Sequence, residues 1–164
     1  MNNLSVKPIQ LDIHKNVCIS FREDSFIVSF GDAKKFYEDD NSGAEKYIEW
    51  LKNKISQDPS TVVHIWQDNL IIGQMELGLL NNDPTCGYVN LYYLIPSKRG
   101  QGIGSFLDNY ATESFRNKQL QKARLSVSPQ NKPAIDFYKK MGWKDLGPRQ
   151  DAPEVHFMEK ILIP

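Results

Sequence analysis

Arg99-Gly100-Gln101-Gly102-Ile103-Gly104 sets three glycines at alternate positions, where a strand-like run ends and an amphipathic helix begins. The first N–H groups of a helix have no intrahelical partners, so several of them converge on a single anion. Glycine adapts such a turn to phosphate, because it takes positive φ and lets oxygens approach the backbone without meeting a Cβ. The helix dipole adds a favourable potential, and a pyrophosphate is the natural guest.

Two other glycine-rich loops fail on their own requirements. A P-loop needs Lys and then Ser or Thr directly after its last glycine, whereas Ser105 and Phe106 follow Gly104. A dinucleotide fingerprint opens a parallel βαβ unit with glycines spaced GxGxxG, whereas these follow an antiparallel run.

The spacing of Arg99, Gly102 and Gly104 resembles the Q/R-x-x-G-x-G/A coenzyme A motif of the GNAT (Gcn5-related N-acetyltransferase) superfamily, and Leu94-Ile95-Pro96-Ser97-Lys98 is similar to its usual lead-in. Further along, Asn131-Lys132-Pro133-Ala134-Ile135-Asp136-Phe137-Tyr138-Lys139-Lys140-Met141-Gly142-Trp143 resembles the family's second signature, N-x-x-A-x-x-F-Y-x-K-x-G-F/W. The strong resemblance runs from Gly87 to Trp143.

The resemblance implies transfer of an acetyl group from acetyl-coenzyme A to a primary amine of a small molecule or peptide, by direct attack in a ternary complex without a metal. It assigns the pyrophosphate to Arg99, Gly100, Gln101, Gly102, Ile103 and Gly104. Backbone groups of Leu94 and Ile95 take the acetyl carbonyl and pantetheine arm, with the Leu94 amide as an oxyanion donor. Asn131 contacts the coenzyme, and Tyr138 protonates the departing sulfur. The alternative for Tyr138 is a packed aromatic on the apolar stripe of its helix.

An alkyl amine of pKa ~10 is mostly protonated at neutral pH, so attack requires a proton acceptor. Some family members carry a glutamate on the strand before the loop, but Gly87 to Leu94 contains no carboxylate. Glu76, on one strand face with Ile72 and Gln74, is the nearest substitute, acting through water if that face lines the cleft. A solvent-exposed Glu76 would do nothing. Asn90, Tyr92, Glu154 and His156 are weaker candidates, and His14 and His64 read as surface or satisfied core histidines. The missing carboxylate also leaves open a non-catalytic acyl-CoA-binding module.

The elements that position these residues follow from hydrophobic periodicity. Val17 to Phe21 and Ser25 to Phe30 read as a hairpin about Arg22, Glu23 and Asp24. Asp32 to Ser56 reads as two helices, one short, with Ala44, Tyr47, Ile48, Leu51 and Ile55 on one stripe. Val62 to Trp66 and Leu70 to Leu80 form a hairpin, Gly87 to Ile95 a strand stopped by Pro96, and Ile103 to about Leu120 a helix. A strand at Ala123 to Ser128, a helix from Pro133 ended by Gly142, and a strand at Val155 to Ile163 complete the chain. The class is α+β, a single domain over residues 1–164 with a central mixed, mostly antiparallel β-sheet flanked by helices.

The 164-residue length suits one domain with its own core. Zero net charge argues against a duplex-DNA binder, although Met1 to Asn82 carries eight basic and twelve acidic residues and Asp83 to Pro164 twelve and eight. An anionic ligand is drawn to the second half, and the acidic first half suits a cationic acceptor. Apolar runs are only strand-length and Met1 to Gln10 lacks a signal-peptide pattern, so a cytoplasmic protein without nucleic-acid or membrane partners is expected. Homodimerisation is left open. Cys18 and Cys86 have no metal-ligand spacing and are expected to be buried free thiols.

Overall fold

The computed structural model describes residues 3–163. A seven-stranded sheet has the order β1-β2-β3-β4-β5-β7-β6, built from β1 (Leu4–Pro8), β2 (Val62–Gln67), β3 (Leu70–Leu80), β4 (Asp83–Leu94), β5 (Lys122–Val127), β6 (Lys144–Pro148) and β7 (His156–Ile161). β4 and β5 pair in parallel from Cys86↔Lys122 to Val89↔Leu125, while β1–β2, β2–β3, β5–β7 and β6–β7 are antiparallel. The helices are α1 (Leu11–Phe30), α2 (Lys34–Tyr37), α3 (Gly43–Gln57), α4 (Ile103–Asn117) and α5 (Lys132–Lys140). This is the mixed, mostly antiparallel α+β arrangement expected from the sequence.

The N-terminal hairpin reading is corrected. Val17 to Phe30 lies within α1, which bends at His14 (φ −112°, ψ 21°) and ends at Gly31 in the left-handed region. Charges in a row suggested a turn, but each is held along a helix. Arg22 pairs with Glu76, Glu23 accepts from Tyr37 OH, and Asp24 accepts from Tyr93 OH at 2.6 Å. Tertiary partners therefore override the local turn signal.

The chain clusters into two compact units, one comprising the N-terminal residues through Glu76 with Leu91–Ser97, the other Leu77–Asn90 with the residues from Lys98 onward. In the first, Tyr47, Ile48 and Leu51 of α3 pack with Ile9, Cys18, Phe36 and Val62, burying the stripe that defined the helix. In the second, β5 alternates half-buried and buried positions, with Ala123, Leu125 and Val127 inside together with Leu107, Ala111 and Phe115 of α4. Among the described residues no helix is long and apolar enough to cross a membrane.

Candidate functional site

A 3-10 turn at Pro96–Lys98 precedes the glycine turn of the second unit, which is followed by α4, whose N-cap is Gly102. Gly100 and Gly102 have φ of +72° and +84°, and a Cβ on either would meet no atom within 4 Å. These two glycines are therefore required by backbone conformation, and the space in front of them is open. The N-cap residue Gly102 brings no side chain to cap α4, and no acidic residue stands in its first turn, which suits an incoming anion. Ser105 Oγ donates to Gly102 O at 2.7 Å and tightens the same turn.

Gly104 has a different reason. A Cβ there would lie 2.9 Å from Phe137 Cε1 and 3.0 Å from Cζ, so its missing side chain admits the ring of α5. Asn131 caps α5, its Oδ1 accepting from Ala134 N at 3.4 Å, and Pro133 stands in the first turn.

Tyr138 is half-buried, with its ring centroid 5.5 Å from that of Phe137 and 6.2 Å from that of Trp143. Burial pushes its phenol pKa well above the ordinary value and the Asp108 carboxylate adds to the effect, so the hydroxyl keeps its proton at neutral pH. Asp108 is buried on α4 and accepts from Trp143 Nε1 at 2.9 Å and from Lys160 Nζ at 2.7 Å. The final tryptophan of the second signature thus anchors a buried carboxylate. Sequence reading missed Asp108, which adjoins Leu107 at the edge of the apolar stripe.

In the first unit, Ile95 N donates to Ile72 O at 2.9 Å, which narrows what Ile95 can offer a ligand to its carbonyl. Leu94 ends β4, and Arg99 and Gln101 open the glycine turn of the second unit.

Glu76 is fully buried. Its Oε2 accepts from Tyr47 OH and from Gln74 Nε2, the latter at 2.8 Å. Arg22 Nη2 lies 3.1 Å from Oε1, an ion pair that falls short of hydrogen-bond geometry. Gln74 Nε2 also donates to Tyr47 OH at 2.8 Å, and Gln74 Oε1 accepts from His64 Nε2 at 2.9 Å. Burial lowers the pKa of His64 to about 4 against the opposing Gln74 bond, so the ring is neutral. Cys18 Sγ lies 3.7 Å from His64 Nε2, and burial followed by the Glu76 charge pushes the thiol up to about 12. Both cysteines are free and buried, as expected.

A second feature of the second unit is a cleft of about 710 Å³ lined by Tyr88, Asn90, Arg124, Arg149, Asp151 and Phe157 among others. Of these, sequence reading named only Asn90. His156, another candidate, pairs instead with Asp145 at 3.1 Å between β7 and β6.

The chain matches the family model described as the Acetyltransferase (GNAT) family over residues 22–143, and it belongs to that family. It is similar to the thialysine N-epsilon-acetyltransferases of Sus scrofa, at 41% identity over 59 residues, and of Mus musculus, at 39% over 59 residues. Each match covers 36% of this chain and 35% of the relative, so it spans about a third of the curated proteins. Among solved structures, the PaiA N-acetyltransferase of Thermoplasma acidophilum in complex with coenzyme A matches with a TM-score of 0.77 at 22% identity, covering 97% of this chain and 99% of that one. The ribosomal-protein-alanine N-acetyltransferase of Brucella melitensis matches with a TM-score of 0.74 at 16% identity, covering 96% and 99%. At these identities the likeness concerns the fold.

Proposed function

We propose that this chain, acting as one domain over residues 1–164, transfers the acetyl group of acetyl-coenzyme A to a primary amine of a small molecule or peptide. The observation that carries the reading is the turn from Arg99 to Gly104, with two left-handed glycines, open space in front of both, and a glycine as the N-cap of α4. Arg99, Gly100, Gln101, Gly102, Ile103 and Gly104 would hold the pyrophosphate. Leu94, the Ile95 carbonyl and Asn131 would meet the arm, and the Leu94 amide would face the thioester oxygen. The named relatives and the coenzyme-bound neighbour support the same chemistry.

Attack forms the C–N bond and breaks the C–S bond, and the amine must give up a proton. Tyr138 supplies a proton to the sulfur. A phenol whose pKa is raised is a weak acid, so transfer is coupled to C–S cleavage and does not precede it. Glu76 reaches no solvent and Tyr47, which donates to it, is itself buried, so a part for Glu76 as proton acceptor would require a relay whose first link is the Tyr47 hydroxyl.

The test is release of coenzyme A thiol from acetyl-coenzyme A with a panel of amines, alongside calorimetry of coenzyme binding. Amine-dependent release is expected, and absence of coenzyme binding overturns the reading. One observation favours a second reading, a module that binds acyl-coenzyme A without turnover: Glu76 is fully buried and ion-paired. Tight binding with no release across the panel selects it.

A further inference from the structure

The cleft of the second unit contains an arginine that is fixed from behind and answered in front by a solvent-facing carboxylate. Arg149 Nη1 donates to Ser126 Oγ at 2.7 Å and to Tyr88 OH at 3.4 Å, and its guanidinium carbon lies 4.3 Å from the Phe157 ring centroid. Tyr88, Ser126 and Phe157 stand on β4, β5 and β7, so three strands set the guanidinium's position. Its remaining edge makes a two-point contact with Asp151, Nε to Oδ1 at 2.9 Å and Nη2 to Oδ2 at 2.5 Å. This is the planar fork geometry by which arginine recognises a carboxylate.

The two partners are unequal. Arg149 is 20% exposed, whereas Asp151 is 67% exposed on the connection between β6 and β7. Asp151 is the solvent-facing member of the pair, while the contacts of Arg149 to Ser126, Tyr88 and Phe157 do not depend on it, so the seat for a carboxylate is held by the strands and not by Asp151. Arg124 in the same cleft provides the contrast. It also lies over Phe157, at 5.1 Å, but its partner Glu159 is a β7 residue only 19% exposed, at 2.8 Å. Of the two guanidiniums, Arg149 is the one whose anionic partner stands in solvent.

Resting on the acetyltransferase reading and extending it, we propose that the acceptor carries a carboxylate on the same molecule as its amine, and that Arg149 binds it in place of Asp151. The charge of Asp151 satisfies the arginine when the cleft is empty, and Asn90 lines the same cleft, where it would meet the rest of the acceptor. The chemistry fits a free amino acid or a peptide C-terminus.

The test measures thiol release from acetyl-coenzyme A with matched acceptors: lysine and lysinamide, glycine and glycinamide, and a lysine-terminated peptide with a free or amidated C-terminus. The carboxylate member of at least one pair is expected to exceed its amide at least tenfold in kcat/KM, and the pair that shows this separates amino acid from peptide. Arg149→Gln should erase the advantage by raising KM, and Asp151→Asn should lower KM for the carboxylate member, with melting curves confirming that both variants fold. Amides used equally well, an advantage that survives Arg149→Gln, or coenzyme binding without turnover of any carboxylate acceptor overturns the proposal. Loss of coenzyme binding in the unaltered protein instead removes the acetyltransferase reading beneath it.

Discussion

Phe137 lies so close over Gly104 that no side chain fits between them, since a Cβ on the glycine would stand 2.9 Å from the ring. The last glycine of the α4 turn is therefore a packing residue that joins the first signature to the second.

Gly104→Ala should consequently destabilise the protein by about 1–3 kcal/mol, because an added methyl must push a ring of α5 aside. Gly102→Ala meets no atom within 4 Å but must hold φ near +84°, so its cost is about 1 kcal/mol of backbone strain concentrated at the turn. Urea unfolding of both variants checks the ranking. Calorimetry should show coenzyme affinity falling in each, and a Gly104→Ala variant as stable as the parent would contradict the packing argument.

Tyr138→Phe retains the ring against Phe137 and Trp143 and removes only the hydroxyl. If Tyr138 delivers the proton to sulfur, turnover should fall by roughly a hundredfold or more while the coenzyme Kd changes little. Parallel steady-state kinetics and calorimetry read the two quantities. Unaltered turnover would return Tyr138 to a purely packing role.

The central elements were legible because periodicity and burial coincide there, as in the α3 stripe of Tyr47, Ile48 and Leu51 and the alternation along β5. β1 and β6 were not, since each is a short edge strand containing proline, formed by pairing with one neighbour. α1 misled for another reason: Arg22, Glu23 and Asp24 look like a turn until Glu76, Tyr37 and Tyr93 are placed beside them. The same limit hid Arg149, whose partners Tyr88 and Ser126 are distant in sequence and meet it, with Phe157, only across the sheet.

Tyr47→Phe separates a proton route from mere packing around Glu76. The variant keeps the ring and removes the hydroxyl that donates to Glu76, leaving Arg22 and Gln74 in contact with the carboxylate. A relay through Tyr47 predicts turnover at least tenfold lower at neutral pH, with the coenzyme Kd retained. Equal kcat in variant and parent would take Glu76 out of the chemistry. Glu76→Gln is a harsher change, expected to cost on the order of 3 kcal/mol because Arg22 loses the charge it faces.

His64 makes stability depend on pH in a direction fixed by its burial. Its pKa is lowered from 6.5 to about 4, first by desolvation and further by His14, whose ring centroid is 5.7 Å away, against the bond to Gln74. Between those two values the unfolded chain binds a proton that the folded chain does not, so stability falls as the pH drops through this window. The loss attributable to this residue reaches ~3 kcal/mol once the pH is below about 4, and it fades as the pH rises past 6.5. His64→Gln removes the titrating group. Urea midpoints between pH 7 and pH 4 should therefore decline less steeply in the variant than in the parent, even though the variant starts lower for loss of packing. Parallel declines would mean that His64 titrates in the folded protein as it does in the unfolded chain, and that the pocket formed by Cys18, Phe21 and Gln74 admits water to the ring.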